Sequence, residues 1–291
     1  MLFQKVTILG VGLLGGSLGL AIKQRRLAVT TAGYVRRSAS VAECKQFAVV
    51  DNPTRDIKQA VADSDLVVLC TPLSRMRILT EEMLPALKPG AIVTDVGSVK
   101  GSVVADIELL IADAGGHFIG SHPMAGGERM GVSASRTDLF ENAVCVVTPS
   151  AKSNAAALCK VEEFWRAVGM RVLKMSPELH DELVSRSSHL PHVIAAELAN
   201  YVLSPTHPKE QAMLCATGFR DVTRIASGSP EMWRDIAMAN REKLSTVLGV
   251  LIEDLQEFQR ALDGQDAKVI EEFFVTAKKR RDTWRSEAGG N

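Results

Sequence analysis

The chain is predicted to be an α/β protein: a doubly wound sheet over residues 1–174, followed by an all-α C-terminal domain over residues 175–291. Three observations predict this. Short continuous apolar runs alternate with helical patterns through the first half, which describes strands buried on both faces by crossover helices. A glycine signature, Gly10-Val11-Gly12-Leu13-Leu14-Gly15, follows the first apolar run directly. From Ser176 onward the pattern is helical and no convincing strand interrupts it.

The elements read in order as follows. Val6–Leu9 is a strand and Leu13–Lys23 a helix, and Thr31–Val35 is the second strand. Leu66–Cys70 is a β-branched and leucine run closed by Thr71-Pro72, and Ala91–Asp95 follows the Pro89-Gly90 turn. His117–Gly120 and Ala143–Thr148 continue the series, all expected to be parallel. The helical half starts at Ser176-Pro177-Glu178: a serine cap, a proline at the first helical position and an acid in the first turn. Leu179, Leu183, His189, Val193 and Leu198 are spaced to share a broad apolar face, and Pro191 is expected to kink that helix. Glu231–Ala261 and Ala267–Trp284 read as long helices.

Bulk composition excludes several classes. Lys plus Arg and Asp plus Glu both number 34, so no basic field speaks for nucleic acid. The run Lys278-Lys279-Arg280-Arg281 reads as a solvated helix end. Five scattered cysteines without a C-x-x-C pair fit reduced thiols and a cytoplasmic location. No apolar run is long enough to span a bilayer. His189 and His192, three residues apart, could share a metal, but no third ligand accompanies them and no metal is expected.

The glycine signature lies between a strand and a helix, the context a dinucleotide requires and the mark of a Rossmann-type domain. Gly10 allows the tight turn, Gly12 lets backbone approach a pyrophosphate, and Gly15 lets helix pack on strand; Leu13 and Leu14 open the helix. Thr71 and Pro72 are expected to join the same site. Where NAD sites place an acid on the ribose 2′-hydroxyl, this chain has Val35, then Arg36, Arg37 and Ser38. A guanidinium suits a 2′-phosphate, so NADP is favoured over NAD.

The chemistry is expected from Gly120-Ser121-His122-Pro123-Met124-Ala125-Gly126, read as a turn after a strand ending near Ile119. An imidazole there can take a proton near neutral pH. With D-x-G-S-x-K at Asp95–Lys100, Glu128, His189-Leu190-Pro191-His192, the segment Gly218–Ala226 and Trp233, the chain resembles the prephenate and arogenate dehydrogenase family of tyrosine biosynthesis. The resemblance implies NAD(P)-dependent oxidative decarboxylation of prephenate to 4-hydroxyphenylpyruvate and carbon dioxide. It implies that His122 accepts the ring-hydroxyl proton and that Ser98 hydrogen-bonds the same hydroxyl. It implies also that Arg224 clamps a substrate carboxylate, that His192 lines the pocket, and that Glu128 and Asp221 gate or brace it. Ser98 read by itself is equally a helix cap, and a surface ion pair is the plainer reading of Arg224 beside Asp221.

Arogenate carries an ammonium where prephenate has a ketone, and Ala216-Thr217-Gly218 offers no acid for it, which leans to prephenate. An arogenate or a dual-specificity cyclohexadienyl dehydrogenase is the alternative. A β-hydroxyacid dehydrogenase would need a catalytic lysine context that the helical half lacks, and a non-catalytic nucleotide sensor would not need His122. The size of the helical half suggests homodimerisation through it.

Overall fold

The computed structural model describes residues 1–127 and 129–287, the side chains of 285–287 excepted. The chain forms two compact units, Met1–Arg241 and Glu242–Asn291.

The first unit begins with β1 (Phe3–Leu9), α1 (Leu13–Gln24), β2 (Ala28–Tyr34), α2 (Ser38–Gln46), β3 (Asn52–Thr54) and α3 (Ile57–Val61). It continues with β4 (Leu66–Leu69), α4 (Leu73–Met83), β5 (Ile92–Asp95), α5 (Gly101–Asp113), β6 (His117–Pro123), β7 (Val144–Thr148), α6 (Ala155–Val168) and β8 (Arg171–Lys174). The eight strands form one sheet in the order β3-β2-β1-β4-β5-β6-β7-β8. The order reverses between β1 and β4, where ligands of such sheets bind beyond the strands' carboxyl ends.

Strands β4 and β5 are buried along their whole length, as expected for a sheet covered on both faces. One side packs Leu18, Ile22, Phe164 and Trp165 on β1 and its neighbours; the other packs Met76, Met83, Ile107 and Ile111 on β4 and β5. Each fully buried large side chain contributes roughly 1.5–3 kcal/mol.

Two expectations about the sheet need correction. β3 and β8 are strands that the sequence pattern does not predict. β3 has three residues including Pro53, and β8 is Arg171-Val172-Leu173-Lys174 with mostly exposed side chains, so neither carries an apolar signature. Nor is the sheet wholly parallel: β7 runs antiparallel to β6, pairing Gly120 with Thr148 and His122 with Val146. That pairing extends β6 to Pro123, so His122 lies within a strand and not in a turn after Ile119.

The unit ends in helices α7 (Pro177–Val184), α8 (Leu190–Val202), α9 (Lys209–Met213), α10 (Thr217–Thr223) and α11 (Pro230–Ala239). Ser176 caps α7 by accepting the Leu179 amide, 3.2 Å away, with Pro177 in the first turn. Between α7 and α8 one π-helical turn, Ser185–His189, takes up the break, and Pro191 falls in the first turn of α8. Such turns often mark functional sites.

The face of α7 is not the one expected. Leu179 and Leu183 are 45% and 43% exposed, while His180, Asp181 and Val184 are buried. Polar contacts, not apolar spacing, orient this helix. Glu231–Ala261 is likewise not one helix: Asn240 ends α11, its side chain is used elsewhere, and α12 (Arg241–Asp263) starts anew.

The second unit holds nearly all of α12 and then α13 (Ala267–Glu287). Phe258, Phe273 and Phe274 cluster, with ring centroids 4.7–5.9 Å apart. Lys278 to Arg281 are exposed on α13, with the Arg281 guanidinium 4.6 Å over the Trp284 ring. Among the described residues no helix is long and apolar enough to cross a membrane.

Candidate active site

The glycine turn between β1 and α1 has three different environments. Gly10 has φ +97°, and a Cβ there would lie 2.5 Å from the Cys70 carbonyl oxygen. A Cβ on Gly15 would lie 2.2 Å from the Gly10 carbonyl oxygen, so the helix can approach only without a side chain. Gly12 has open space on its Cβ side. It precedes a helix whose first turn has no side-chain cap and no acid, so free amides and the positive dipole end are offered to an anion. Leu13 and Leu14 are half-buried in that first turn. Beside Gly10, the Thr71 hydroxyl is buried without a hydrogen-bond partner, and exposed Pro72 starts α4. A tight turn, an open amide cradle and an orphaned hydroxyl suit a dinucleotide.

At the end of β2 Val35 is buried, and Arg36, Arg37 and Ser38 are exposed at the start of α2. Arg55, from the β3–α3 connection, donates through Nε to the Arg36 carbonyl at 3.1 Å. A third guanidinium therefore stands at this edge, one that sequence spacing did not bring near.

His122 is 7% exposed at the end of β6. Its Nδ1 lies 2.9 Å from His180 Nε2 on α7, and His180 Nδ1 lies 2.7 Å from Asp181 Oδ1. The Asp181 carboxylate also accepts the Lys100 and Gly101 amides at 2.8 Å each, capping α5 from a distant helix. Ser98 is therefore not the cap of α5; it stands half-buried in the loop between β5 and α5.

Beneath the histidines is a buried ion pair. Lys100, fully buried, donates to Asp95 Oδ2 and, at 2.8 Å, to the Ser121 carbonyl. Asp95 accepts the Ser121 amide at 3.0 Å and the Gly97 amide at 2.8 Å. The Ser121 hydroxyl takes the Trp165 Nε1–H at 3.0 Å and donates to the Asp95 carbonyl at 2.5 Å. These contacts lock the end of β5 to the residue before His122.

Burial pushes the Lys100 ammonium below its ordinary pKa, and Asp95 and Asp181 oppose the shift. Burial also drives His122 well below the usual imidazole range, and His180, Lys100 and His189 press the same way. His122 is therefore neutral at pH 7, the state a proton acceptor needs.

A second row of rings adjoins the first. Asn240 Nδ2 donates to the Asp181 carbonyl at 2.9 Å and lies 3.2 Å from His189 Nδ1. His189 is pushed down to about 4 by burial first, its Nε2 has no hydrogen-bond partner, and the Ser98 backbone faces the ring. Trp233 packs edge-on to His189 and stacks on His192, with ring centroids 3.7 Å apart. His192 Nδ1 donates to the Ser188 carbonyl at 2.9 Å, which leaves Nε2 as its acceptor.

Asp221 lies exposed on α10, and Arg224, also exposed, opens the turn Arg224–Ser227; both segments pack on α8, the helix of His192. Glu128 lies outside the described residues. The loop beyond His122 reaches the glycine turn: a Cβ on Gly127 would meet Leu13 Cδ2 at 3.3 Å, and Ser135 Oγ donates to the Gly12 carbonyl at 3.4 Å.

The sequence pattern singles out His122 and Ser98 as candidates but does not point to His180, Asp181 and Asn240 as the groups linked to His122. The one available signal was the adjacent His180-Asp181 pair beside a capped helix start, with nothing to tie it to His122.

Comparison with known proteins gives the family. Residues 18–174 match the nucleotide-binding domain of prephenate dehydrogenase, and residues 176–276 match its dimerization domain. A cyclohexadienyl dehydrogenase of Zymomonas mobilis is 36% identical, over 96% of this chain and 95% of that protein. A prephenate dehydrogenase of Bacillus subtilis is 33% identical, over 96% of this chain and 76% of its own length. The crystal structure of a prephenate dehydrogenase from A. aeolicus, with hydroxyphenyl propionate and NAD+, superposes with a TM-score of 0.90 at 31% identity, covering 96% of this chain and 98% of that one.

Proposed function

The chain belongs to the prephenate dehydrogenase family of oxidoreductases in tyrosine biosynthesis, and from that premise we propose that its substrate is prephenate, converted to 4-hydroxyphenylpyruvate and carbon dioxide with NADP favoured over NAD. The observation that carries the reading is the neutral, buried His122 at the end of β6, followed by a loop that reaches the glycine turn.

A bound nicotinamide supplies the hydride acceptor. His122 takes the proton of the ring hydroxyl, and Ser98 hydrogen-bonds the same oxygen. The ring carboxylate leaves as carbon dioxide, and its electron pair completes the aromatic ring. Arg224 clamps a substrate carboxylate, His192 and Trp233 wall the pocket, and Asp221 braces it. The chain thus has to orient the reactants, accept one proton and hold two carboxylates.

Gly10, Gly12, Gly15, Leu13, Leu14, Thr71 and Pro72 hold the dinucleotide. Arg36, Arg37 and Ser38 read its 2′-phosphate, and Arg55 stands where it adds to them. Two such chains pair through the helical half.

The test is nicotinamide reduction and carbon dioxide release with prephenate and arogenate in parallel, each with NAD and NADP. Higher kcat/KM for prephenate with NADP supports the reading. A preference for arogenate reassigns the substrate. A preference for NAD removes the phosphate role of the arginines. In an Arg36→Ala, Arg37→Ala variant, NADP is expected to lose about 10- to 150-fold or more and NAD much less.

A further inference from the structure

His122 is joined to a carboxylate through a second imidazole. The order is His122 Nδ1, His180 Nε2, His180 Nδ1, Asp181 Oδ1, with steps of 2.9 and 2.7 Å. All three side chains are buried, His180 completely. The two rings meet edge-on, with an interplanar angle of 71° and centroids 5.1 Å apart. A carboxylate only accepts, so His180 Nδ1 carries the proton that bonds Asp181. In neutral His180 the other nitrogen is then a lone pair, and it can only accept from His122 Nδ1–H. That leaves His122 Nε2 bare.

We propose that His180 and Asp181 are positioning residues that hold His122 in its Nδ1–H tautomer, with Nε2 free as the proton acceptor. The inference rests on the reading of His122 as the base. Asp181 is itself fixed: its carboxylate holds the Lys100 and Gly101 amides, and its carbonyl is held by Asn240. The relay therefore cannot reverse by rotating the carboxylate. When His122 takes a proton at Nε2, its Nδ1–H stays on His180 Nε2, and the new positive charge faces a carboxylate one ring away.

The intervening ring has a physical consequence. A carboxylate in direct contact would favour the charged imidazole and raise its pKa. A neutral imidazole fixes the tautomer without placing a full negative charge beside the base. The other groups facing His122 agree: Lys100 adds positive field, His189 is itself held neutral by burial, and the thiol of buried Cys145, on the paired strand, is pushed well above its ordinary pKa. Asp95 is tied to Lys100. The base starts neutral, and one nitrogen alone is available to the substrate.

The test uses the whole protein with ring-15N-labelled histidine, in wild type, His180→Gln and His180→Phe. Glutamine can accept the His122 Nδ1–H and donate to Asp181, whereas phenylalanine can do neither. The 15N shifts of wild type are expected to show His122 protonated at Nδ1 and bare at Nε2. His180→Phe should mix the tautomers and lower kcat by about 10- to 10³-fold, less than loss of the base itself, with KM for substrate little changed. His180→Gln should keep the tautomer and recover kcat to within about tenfold of wild type. A wild-type His122 protonated at Nε2 would overturn the proposal, as would equal loss in the two variants or an unaltered kcat in His180→Phe. If His180→Phe does not fold, the tautomers of wild type and His180→Gln still decide. The shifts are read without turnover, so an enzyme inactive on prephenate and arogenate would refute the function and leave the relay to stand or fall by its tautomer.

Discussion

The end of the sheet and the segment from Ala196 to Asp235 are built on opposite plans. At the sheet end the polar groups are buried and bonded to one another: Asp95, Lys100, Ser121, His122, His180 and Asp181 form one connected set. From Ala196 to Asp235 no residue is buried, and Met213, Leu214 and Tyr201 are 83%, 77% and 66% exposed. This segment lies within the match to the family's dimerization domain. The contrast teaches a division of labour. Proton chemistry needs a rigid, dry site where a charge is felt strongly. Arg224 is exposed on this segment, where the binding role proposed for it requires no buried charge.

If the division is right, substitutions at the sheet end change turnover or stability, and those on the exposed segment change substrate affinity. The largest expected effect is His122→Asn, which keeps a hydrogen bond but removes the proton acceptor. Turnover should fall about 10²–10⁴-fold, with dinucleotide affinity unchanged by fluorescence titration. Near-normal turnover would end the assignment.

Next is Lys100→Met, which leaves Asp95 buried with its cation gone. Breaking such a pair costs roughly 3–5 kcal/mol, to be read from urea unfolding. A variant within about 1 kcal/mol of wild type would mean the pair contributes little beyond its packing.

Acid sharpens the same contrast. His189 is held at about 4 against an ordinary 6.5, so below pH 6.5 the unfolded chain binds a proton that the folded chain refuses. Its contribution is intact above pH 6.5 and lost as the pH falls toward 4, about 3 kcal/mol in all. His122 adds to the loss in the same direction. The low pKa of His122 also means that kcat/KM should hold through pH 6.5 and fall only below it. Stability flat from pH 7 to 4, or an acid limb centred at pH 6.5 or above, would show that these rings are hydrated in solution.

The smallest effect belongs to the exposed segment. Arg224→Ala should raise KM about 10- to 150-fold with kcat nearly unchanged, because a carboxylate clamp acts alike in ground and transition states. A normal KM would break the comparison, and a loss confined to kcat would move Arg224 to the chemical step.

Most of the α/β half was legible. Continuous apolar runs give buried strands, and the glycine spacing gives the turn, because both depend on neighbours within a few residues. β3 and β8 escaped because short, partly exposed strands at the sheet's edges need no apolar signature. The antiparallel direction of β7 escaped because periodicity carries no strand polarity.

The site divides in the same way. The sequence by itself determined the glycine turn, the order of a sheet half and a helical half, and the candidacy of His122 and Ser98, each resting on a local pattern or on the family resemblance such patterns carry. Only the tertiary structure decided what surrounds His122. His180 comes from 58 residues away, the Asp181 carboxylate reaches the Lys100 amide across 81, and Asn240 reaches Asp181 across 59. It also reversed the face of α7, burying His180 and Asp181 and exposing Leu179 and Leu183. Apolar spacing prices a face by its transfer free energy. A face that finds specific hydrogen bonds across the fold can offset that term, and those partners are set by where distant elements come to rest.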